Sequence, residues 1–203
     1  MLDPGLTRFV KQALPPAPAR VLEVGAGDGE LAAELASAGY DVVAIDPAST
    51  VDAVRPVSLH ELDGEPGSFD ASVAVLSMHH VEPLPESCRR LAELVRSGGP
   101  LVLDELDVER FDERAGRWWL EHRQDGEDRF ATPDELLEFL RHHCHPLSVV
   151  LGALGEWFEL AAPARGPYLY RWQLPLALRS TEEQLIAGDR LPATGARIVG
   201  VRR

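Results

Sequence analysis

The stretch Arg20–Asp46, RVLEVGAGDGELAAELASAGYDVVAID, indicates how the chain begins to fold. RVLEV is an apolar run that stops at a glycine, which is typical of a buried strand. GELAAELASAG has helical spacing and ends at Gly39, and YDVVAID is a second strand-like run. Strand, glycine loop, helix and strand in this order predict the start of a parallel α/β sheet.

The same alternation continues along the chain. We expect a short helix at 5–14 and a helix at 85–99, and we expect strands at 56–62, 69–77, 100–106, 158–161 and 196–203. Beyond Leu106 the pattern predicts helices, one of which begins at Thr132 with the T-x-x-E capping signal that Glu135 completes. A further short helix is expected from Ser180 or Thr181 to Gly188.

Composition narrows the possible functions. The chain has 203 residues, 45% of them hydrophobic, which is enough for one domain with a sizeable core. Its net charge of -13 would repel a nucleic-acid backbone. No apolar run is long enough for a membrane anchor, so we expect a soluble cytoplasmic protein. Cys88 and Cys144 are too few for a four-cysteine zinc site and are expected to be reduced thiols.

The glycine loop limits the ligand that it can accept. Gly25, Gly27 and Gly29 leave room for a ligand to approach the backbone beside a helix N-terminus. A dinucleotide loop, G-x-G-x-x-G, would place its third glycine where Glu30 stands. Asp28 and Glu30 also place negative charge where a pyrophosphate would lie. These features favour a ligand that is not anionic around the loop.

The segment Glu23-Val24-Gly25-Ala26-Gly27-Asp28-Gly29 resembles the first motif of the class I S-adenosylmethionine-dependent methyltransferases, [D/E]-x-G-x-G-x-G. The resemblance extends over 19–105 and includes the FD of Phe69-Asp70 and the turn before the fifth strand. It implies S-adenosylmethionine as cofactor and S-adenosylhomocysteine as product. The expected fold is α/β: a Rossmann-like, doubly wound sheet of about seven strands, mostly parallel with an antiparallel last strand. A helical lid or insertion is expected after the fifth strand.

The resemblance also implies roles for particular residues. Glu23 would help to hold the amino-acid end of the cofactor, and Asp46 would accept hydrogen bonds from the ribose hydroxyls. The family presents an acid to the adenine near position 58, where this chain has Ser58, and Glu61 and Asp63 are out of register. The predicted cofactor-binding residues are Glu23, Gly25, Ala26, Gly27, Gly29, Asp46, Pro47, Ser58, Leu59, Leu76 and Ser77.

The reaction itself needs few protein groups. Methyl transfer from a sulfonium is an in-line displacement, for which alignment matters most and a general base is optional. His79 and His80, after the fourth predicted strand, are the candidate catalytic residues. Candidate substrate-pocket residues are Trp118, Tyr168, Tyr170 and Arg171, and Glu105 and Asp107 are further possibilities. The RHHCH run (141–145) is interpreted as a polar helix end and no metal site is predicted, because consecutive helical residues point in different directions.

The sequence therefore predicts a single domain over 1–203, with a cofactor-binding core at 19–106, a helical lid at 107–147 and a C-terminal part with the acceptor pocket at 148–203. The predicted function is transfer of a methyl group to a small-molecule acceptor by a monomer or homodimer, with no nucleic-acid or membrane partner. Two alternatives stay open: a non-catalytic cofactor-binding or interaction module of the same fold, and an NAD(P)-dependent oxidoreductase, against which Glu30 argues.

Overall fold

The protein is described from a computed structural model, which describes residues 3–124 and 129–203. Its centre is a seven-stranded sheet. The strands are β1 (Arg20–Val24), β2 (Asp41–Ile45), β3 (Ala71–Val75), β4 (Pro100–Leu106), β5 (Phe158–Leu160), β6 (Ala164–Gly166) and β7 (Gly195–Arg202). The strand order is β2-β1-β3-β4-β7-β5, and β6 pairs with β7.

The first part of the sheet is parallel and the last part is antiparallel. β1 pairs in parallel with β2 and β3, and β3 pairs in parallel with β4. β7 runs antiparallel to both β5 and β6. The predicted fold class, a mostly parallel Rossmann-like sheet with an antiparallel last strand, is confirmed.

One predicted strand is wrong. The segment 56–62 contains a 3-10 turn, Leu59–Glu61, and no strand. Leu59 and Leu62 are both buried, and residues three apart share a face in a tight helical turn but not in a strand. The strand that completes the sheet is β6, which the sequence pattern did not predict.

Seven helices are described: α1 (Pro4–Ala13), α2 (Glu30–Ser37), α3 (Leu84–Leu94), α4 (Glu113–His122), α5 (Pro133–His143), α6 (Leu147–Gly155) and α7 (Arg179–Ala187). The predicted cap of α5 is confirmed, because the Thr132 side chain accepts from the Glu135 N–H. The predicted N-cap of α7, Ser180 or Thr181, is wrong, whereas the predicted stop at Gly188 is confirmed as the C-cap. A 3-10 turn at Leu176–Leu178 leads directly into α7, so the chain is already helical before Ser180.

One core cluster on the parallel strands is built from α1, α2 and three strands. One cluster joins Leu6, Val10 and Leu14 of the first segment to Leu31 and Leu35 of α2, and these side chains pack on Val21, Ala71, Val73 and Val102. The amphipathic spacing of both helices thus covers one face of the parallel strands. Among the described residues, no helix has the length and apolarity needed to cross a membrane.

Two compact units make up the chain. The first consists of Met1–Glu105, Ser148–Ala162 and Ile198–Arg203, and the second consists of Leu106–Leu147 and Pro163–Arg197. The second unit has its own aromatic cluster, in which the Trp119 and Trp172 ring centroids are 5.0 Å apart and the Trp119 indole N–H donates to the Trp172 carbonyl at 2.8 Å. The division into core, lid and acceptor part stays a prediction.

Candidate functional site

A cavity of about 550 Å³ lies in the first unit, where the chain leaves β1, β2 and β3. Its walls come from Val24-Gly25, Ile45–Ala48, Val57–Leu59, Leu76-Ser77 and His80–Glu82. The strand order reverses between β1 and β3. Open α/β sheets bind ligands outside the carboxyl ends of their strands at such a point. The topology therefore places the cavity where this class of fold forms a site.

The glycine loop needs glycine for two different reasons. Gly25 has φ +71°, and a Cβ there would lie 2.1 Å from the Ser77 Cβ, so the loops after β1 and β3 touch only because this side chain is absent. Gly27 has φ +54°, and a Cβ there would meet no atom within 4 Å. Gly25 therefore closes the wall of the cavity, whereas the backbone at Gly27 faces open space.

Asp46 ties the end of β2 to the glycine loop. Its Oδ2 accepts from the Gly27 N–H at 3.0 Å, and its Oδ1 accepts from the Ala48 N–H at 2.9 Å. The Ser49 hydroxyl adds a second link by donating to the Gly27 carbonyl at 2.7 Å. Asp46 lines the cavity, and a carboxylate has lone pairs for more than these two bonds. It can therefore accept further hydrogen bonds from a ligand.

Glu23 is a buried acid with an unsatisfied oxygen. It lies on β1, where its backbone is paired with Ala44 of β2 and Val73 of β3, and it is 3% exposed. Burial, followed by the negative charge of Asp28, raises the pKa of Glu23 to about 8. Its Oε2 has no hydrogen-bond partner. A buried oxygen of this kind is costly unless a hydrogen-bond donor or a cation reaches it. A cation beside Glu23 would lower its pKa again and ionise the carboxyl.

The segment Leu76–His80, named here the β3 wall, forms another side of the cavity. Leu76 has φ +53°, an unusual conformation for a residue with a side chain. Its N–H donates to the Asp104 carbonyl at 2.8 Å, and the Ser77 hydroxyl donates to the Val24 carbonyl at 2.8 Å. Strained backbone of this kind persists only where surrounding contacts hold it, and it is concentrated at functional sites.

The two histidines of the β3 wall differ in their surroundings. His80 is exposed and lines the cavity. His79 is 5% exposed, and its Nδ1 lies 2.6 Å from Oε2 of Glu105. The two imidazole centroids are 4.2 Å apart. His80 thus lies where it can contact a ligand, and the buried His79 ring packs against it. A catalytic role for either histidine stays a prediction.

Ser58 and Leu59 also line the cavity, and their contact with an adenine stays a prediction. The Ser58 hydroxyl donates to Oε2 of Glu61, so the acid that is out of register in the sequence is linked to the cavity through this serine. Among the described lining residues, Asp46 and Glu82 are acidic and none is lysine or arginine. This charge favours a cationic ligand over a phosphate-bearing one.

Comparison with known proteins agrees with this geometry. The model of a family described as "Methyltransferase domain" matches residues 2–143. The chain belongs to the class I S-adenosylmethionine-dependent methyltransferases. A ubiquinone biosynthesis O-methyltransferase of Xanthomonas axonopodis pv. citri is 33% identical over 123 residues, and the match covers 52% of this chain and 51% of that protein. The chain thus matches about half the length of this curated relative.

Solved structures show the same fold. A putative methyltransferase from an antibiotic biosynthesis pathway of Anabaena variabilis has a TM-score of 0.68 and 17% identity, with 100% of this chain and 98% of that chain covered. A phosphoethanolamine N-methyltransferase of Haemonchus contortus, solved in complex with S-adenosyl-L-methionine, has a TM-score of 0.64 and 14% identity, with 98% of this chain and 53% of that chain covered. At such identity the likeness concerns the methyltransferase fold alone.

The structure brings many of the predicted cofactor residues of this methyltransferase together. Those that line the cavity are Gly25, Asp46, Pro47, Ser58, Leu59, Leu76 and Ser77. Glu23, Ala26, Gly27 and Gly29 are outside its lining, although the Gly27 N–H donates to Asp46 and Gly29 is the N-cap residue of α2. Lining residues that the sequence did not single out are Val24, Ile45, Ala48, Val57, Val81 and Glu82. Most are apolar residues that directly follow or precede a predicted contact.

The predicted substrate-pocket residues lie in the second unit. Tyr168 and Tyr170 are buried, and their backbone N–H groups donate to the buried carboxylate of Glu182 at 2.8 Å each. Burial is the main cause that raises the pKa of Glu182. Arg171 follows in a 3-10 turn, and Trp118 lines a separate cavity of about 330 Å³. Their contact with an acceptor stays a prediction.

Two other polar features of the sequence have structural partners. Asp107 is buried and pairs with Arg165 within the second unit. His142 and His143, from the RHHCH run, each place Nδ1 against a carbonyl one turn earlier in α5, those of Glu138 and Phe139. These contacts agree with the interpretation of the run as a polar helix end.

Proposed function

We propose that this methyltransferase moves a methyl group from S-adenosylmethionine to a small-molecule acceptor by in-line displacement. The observation that carries the proposal is the acidic cavity beside the glycine loop, where Asp46 is held against Gly27 at the end of β2. The family and the fold support the same assignment.

The residues present fit the cofactor. Asp46 has acceptor capacity for the two vicinal hydroxyls of a ribose, and Gly27 leaves open space beside it. Glu23, with its unpartnered oxygen, suits the ammonium group of the amino-acid end. Ser58 and Leu59 offer a polar and an apolar contact for the adenine. When bound, S-adenosylmethionine supplies a methyl group on a positively charged sulfur, which the acidic lining favours.

In such a reaction the protein mainly aligns the acceptor with the methyl group and excludes water from the site. His80 on the cavity wall is the side chain that we propose to orient the acceptor or hold its proton. The Xanthomonas relative is named as an O-methyltransferase of ubiquinone biosynthesis, so a hydroxyl is the first acceptor group that we propose. Trp118, Tyr168, Tyr170 and Arg171 are proposed to contribute to the acceptor pocket.

Isothermal titration with S-adenosylhomocysteine tests the cofactor assignment. We expect Asp46→Ala to weaken binding at least about tenfold, because a carboxylate that accepts hydrogen bonds from a ligand contributes on this order. Asp52 is an exposed acid in the loop that follows β2. The variant Asp52→Asn is therefore the matched control and should bind S-adenosylhomocysteine like the parent protein. Absence of binding by the parent protein would refute the proposal, and saturable binding of NAD or NADP would support the oxidoreductase alternative instead.

A transfer assay then separates an enzyme from a binding module. The protein is incubated with methyl-labelled S-adenosylmethionine and a panel of small phenols, catechols, amines and thiols. Transfer to any acceptor supports the enzyme, and transfer to a phenol or catechol supports the hydroxyl class. Tight cofactor binding with no transfer across the panel would favour the non-catalytic module.

A further inference from the structure

The β3 wall, Leu76–His80, is held from the neighbouring strand by one side chain. Glu105 lies near the end of β4 and is 1% exposed. Its Oε1 accepts from the Ser77 N–H at 3.0 Å and from the Met78 N–H at 2.7 Å. Its Oε2 lies 2.6 Å from His79 Nδ1. One buried carboxylate thus contacts three consecutive residues of the wall, although it is 28 residues away from Ser77 in sequence.

These contacts define the hydrogen-bonding state of His79. Two backbone N–H groups and one ring nitrogen converge on Glu105, which is the pattern that an ionised carboxylate satisfies as an acceptor. We therefore assign a hydrogen to His79 Nδ1, which then donates to Oε2 of Glu105. The hydrogen bond on one ring nitrogen fixes the role of the other nitrogen and the orientation of the ring. His80, in contact with that ring at 4.2 Å between centroids, lines the cavity.

The wall needs this support because its backbone is strained. Leu76 adopts φ +53° directly after β3, and Ser77 then packs against Gly25 of the glycine loop. Three wall residues, Leu76, Ser77 and His80, face the cavity. Without Glu105, the Ser77 and Met78 N–H groups would be buried without an acceptor, and the strained turn would lose three of the contacts that hold it.

We propose that Glu105 is a positioning residue of the cofactor site: by holding the backbone of Ser77 and Met78 and the Nδ1–H of His79, it keeps the β3 wall in the shape that binds the cofactor. The inference rests on the proposed function, since it assigns the cavity to S-adenosylmethionine and S-adenosylhomocysteine. Glu105 acts through the wall and is not among the residues that line the cavity.

Glu105→Gln is the informative variant, because glutamine has the same shape but only one accepting oxygen. If that oxygen stays on the Ser77 and Met78 N–H groups, the amide N–H₂ faces His79 Nδ1, which must then give up its hydrogen. His79 should therefore change from the Nδ1–H to the Nε2–H form. We expect the affinity for S-adenosylhomocysteine to fall about tenfold, the scale of one hydrogen bond to a charged group.

Asp70→Asn is the matched control. Asp70 also accepts a backbone N–H, that of Arg20 at 2.8 Å, but it lies at the opposite, amino end of the parallel strands, next to the start of β1 and β3. Each variant replaces one carboxylate that accepts a hydrogen bond from a backbone N–H group. Both are therefore expected to lower the melting temperature. Only Glu105→Gln should change the cofactor affinity and the His79 ring, and Asp70→Asn should leave both at the parental values.

Two measurements on the full chain decide the proposal. Isothermal titration gives the affinity for S-adenosylhomocysteine, and long-range ¹H–¹⁵N spectra of the histidine rings give the tautomer of His79. A tenfold loss of affinity with a tautomer change, in a variant that is as folded as Asp70→Asn, supports it. Parental affinity in Glu105→Gln would overturn it, and so would an unchanged His79 ring. If the parent protein itself binds no cofactor, the proposed function fails, and the role of Glu105 in cofactor binding fails with it; a tautomer change would then show only that Glu105 holds the wall.

Discussion

The buried acid of β1 makes the stability of the protein depend on pH in an unusual direction. Burial and the charge of Asp28 raise the pKa of Glu23 from 4.5 to about 8 in the folded protein. The folded state therefore holds a proton that the unfolded state has released, over the range between these two values. The stability that this proton provides is fully present below about pH 4.5 and is lost as the pH rises through about 8.

The size of the effect follows from the two pKa values. Their difference corresponds to about 5 kcal/mol in total, at about 1.36 kcal/mol for each pKa unit. Between about pH 5 and about pH 9, Glu23 should lower the free energy of unfolding by about 4 kcal/mol. Glu23→Gln, which cannot ionise, should escape this loss. The variant should thus differ little from the parent at the acid end of the range and be clearly more stable at the alkaline end.

Urea unfolding followed by tryptophan fluorescence, at several pH values without cofactor, measures the effect. The quantity of interest is the difference in unfolding free energy between Glu23→Gln and the parent, in which other titrating groups cancel. Asp28→Asn removes the second cause of the raised pKa and should reduce the pH dependence in part. A difference that stays constant from about pH 5 to about pH 9 would show that Glu23 is not held protonated by burial, and the reasoning would be wrong.

Two further predictions concern packing and thiol reactivity. Gly27→Ala should lower the free energy of unfolding by about 1 kcal/mol, the strain of a left-handed residue in open space. Gly25→Ala should lower it by about 3 kcal/mol or more, because the added Cβ would overlap Ser77. Equal losses in urea unfolding would contradict this difference. Cys88 is fully buried, and burial together with the charge of Glu156 raises its pKa to about 12. Ellman's reagent should therefore label this thiol only when urea unfolds the protein. Labelling of Cys88 in the native state at the rate of a free thiol would contradict the prediction.

The contrast between the two histidines shows how a structure changes a functional hypothesis. In the sequence His79 and His80 are neighbours at the end of one strand and have equal standing as candidate bases. In the structure one is exposed on the cavity wall, and the other is buried against Glu105. The alternation of exposure in a short 3-10 turn separates them, and the acid that binds His79 comes from a different strand.

The sequence alone determined the elements with strong local signals. The apolar runs of β1 to β4, the helical spacing of α2 and α3 and the capping threonine of α5 each depend on residues close together in the chain, so their pattern is sufficient. The order of strand, glycine loop, helix and strand also placed Asp46 at the end of β2, beside the loop, because parallel strands present their carboxyl ends at one edge.

Tertiary structure decided what depends on contacts between distant segments. The turn at Leu59–Glu61 forms because Leu59 and Leu62 are both buried, which an alternating pattern does not reveal. The raised pKa of Glu23 requires the burial that neighbouring strands provide. The hydrogen bonds between Glu105 and the β3 wall join residues that are far apart in sequence and become neighbours only because β3 pairs with β4. Local pattern predicted most of the strands, but neither the turn at Leu59–Glu61 nor β6. The side chains that meet at the ends of the strands are set by the order in which those strands pair.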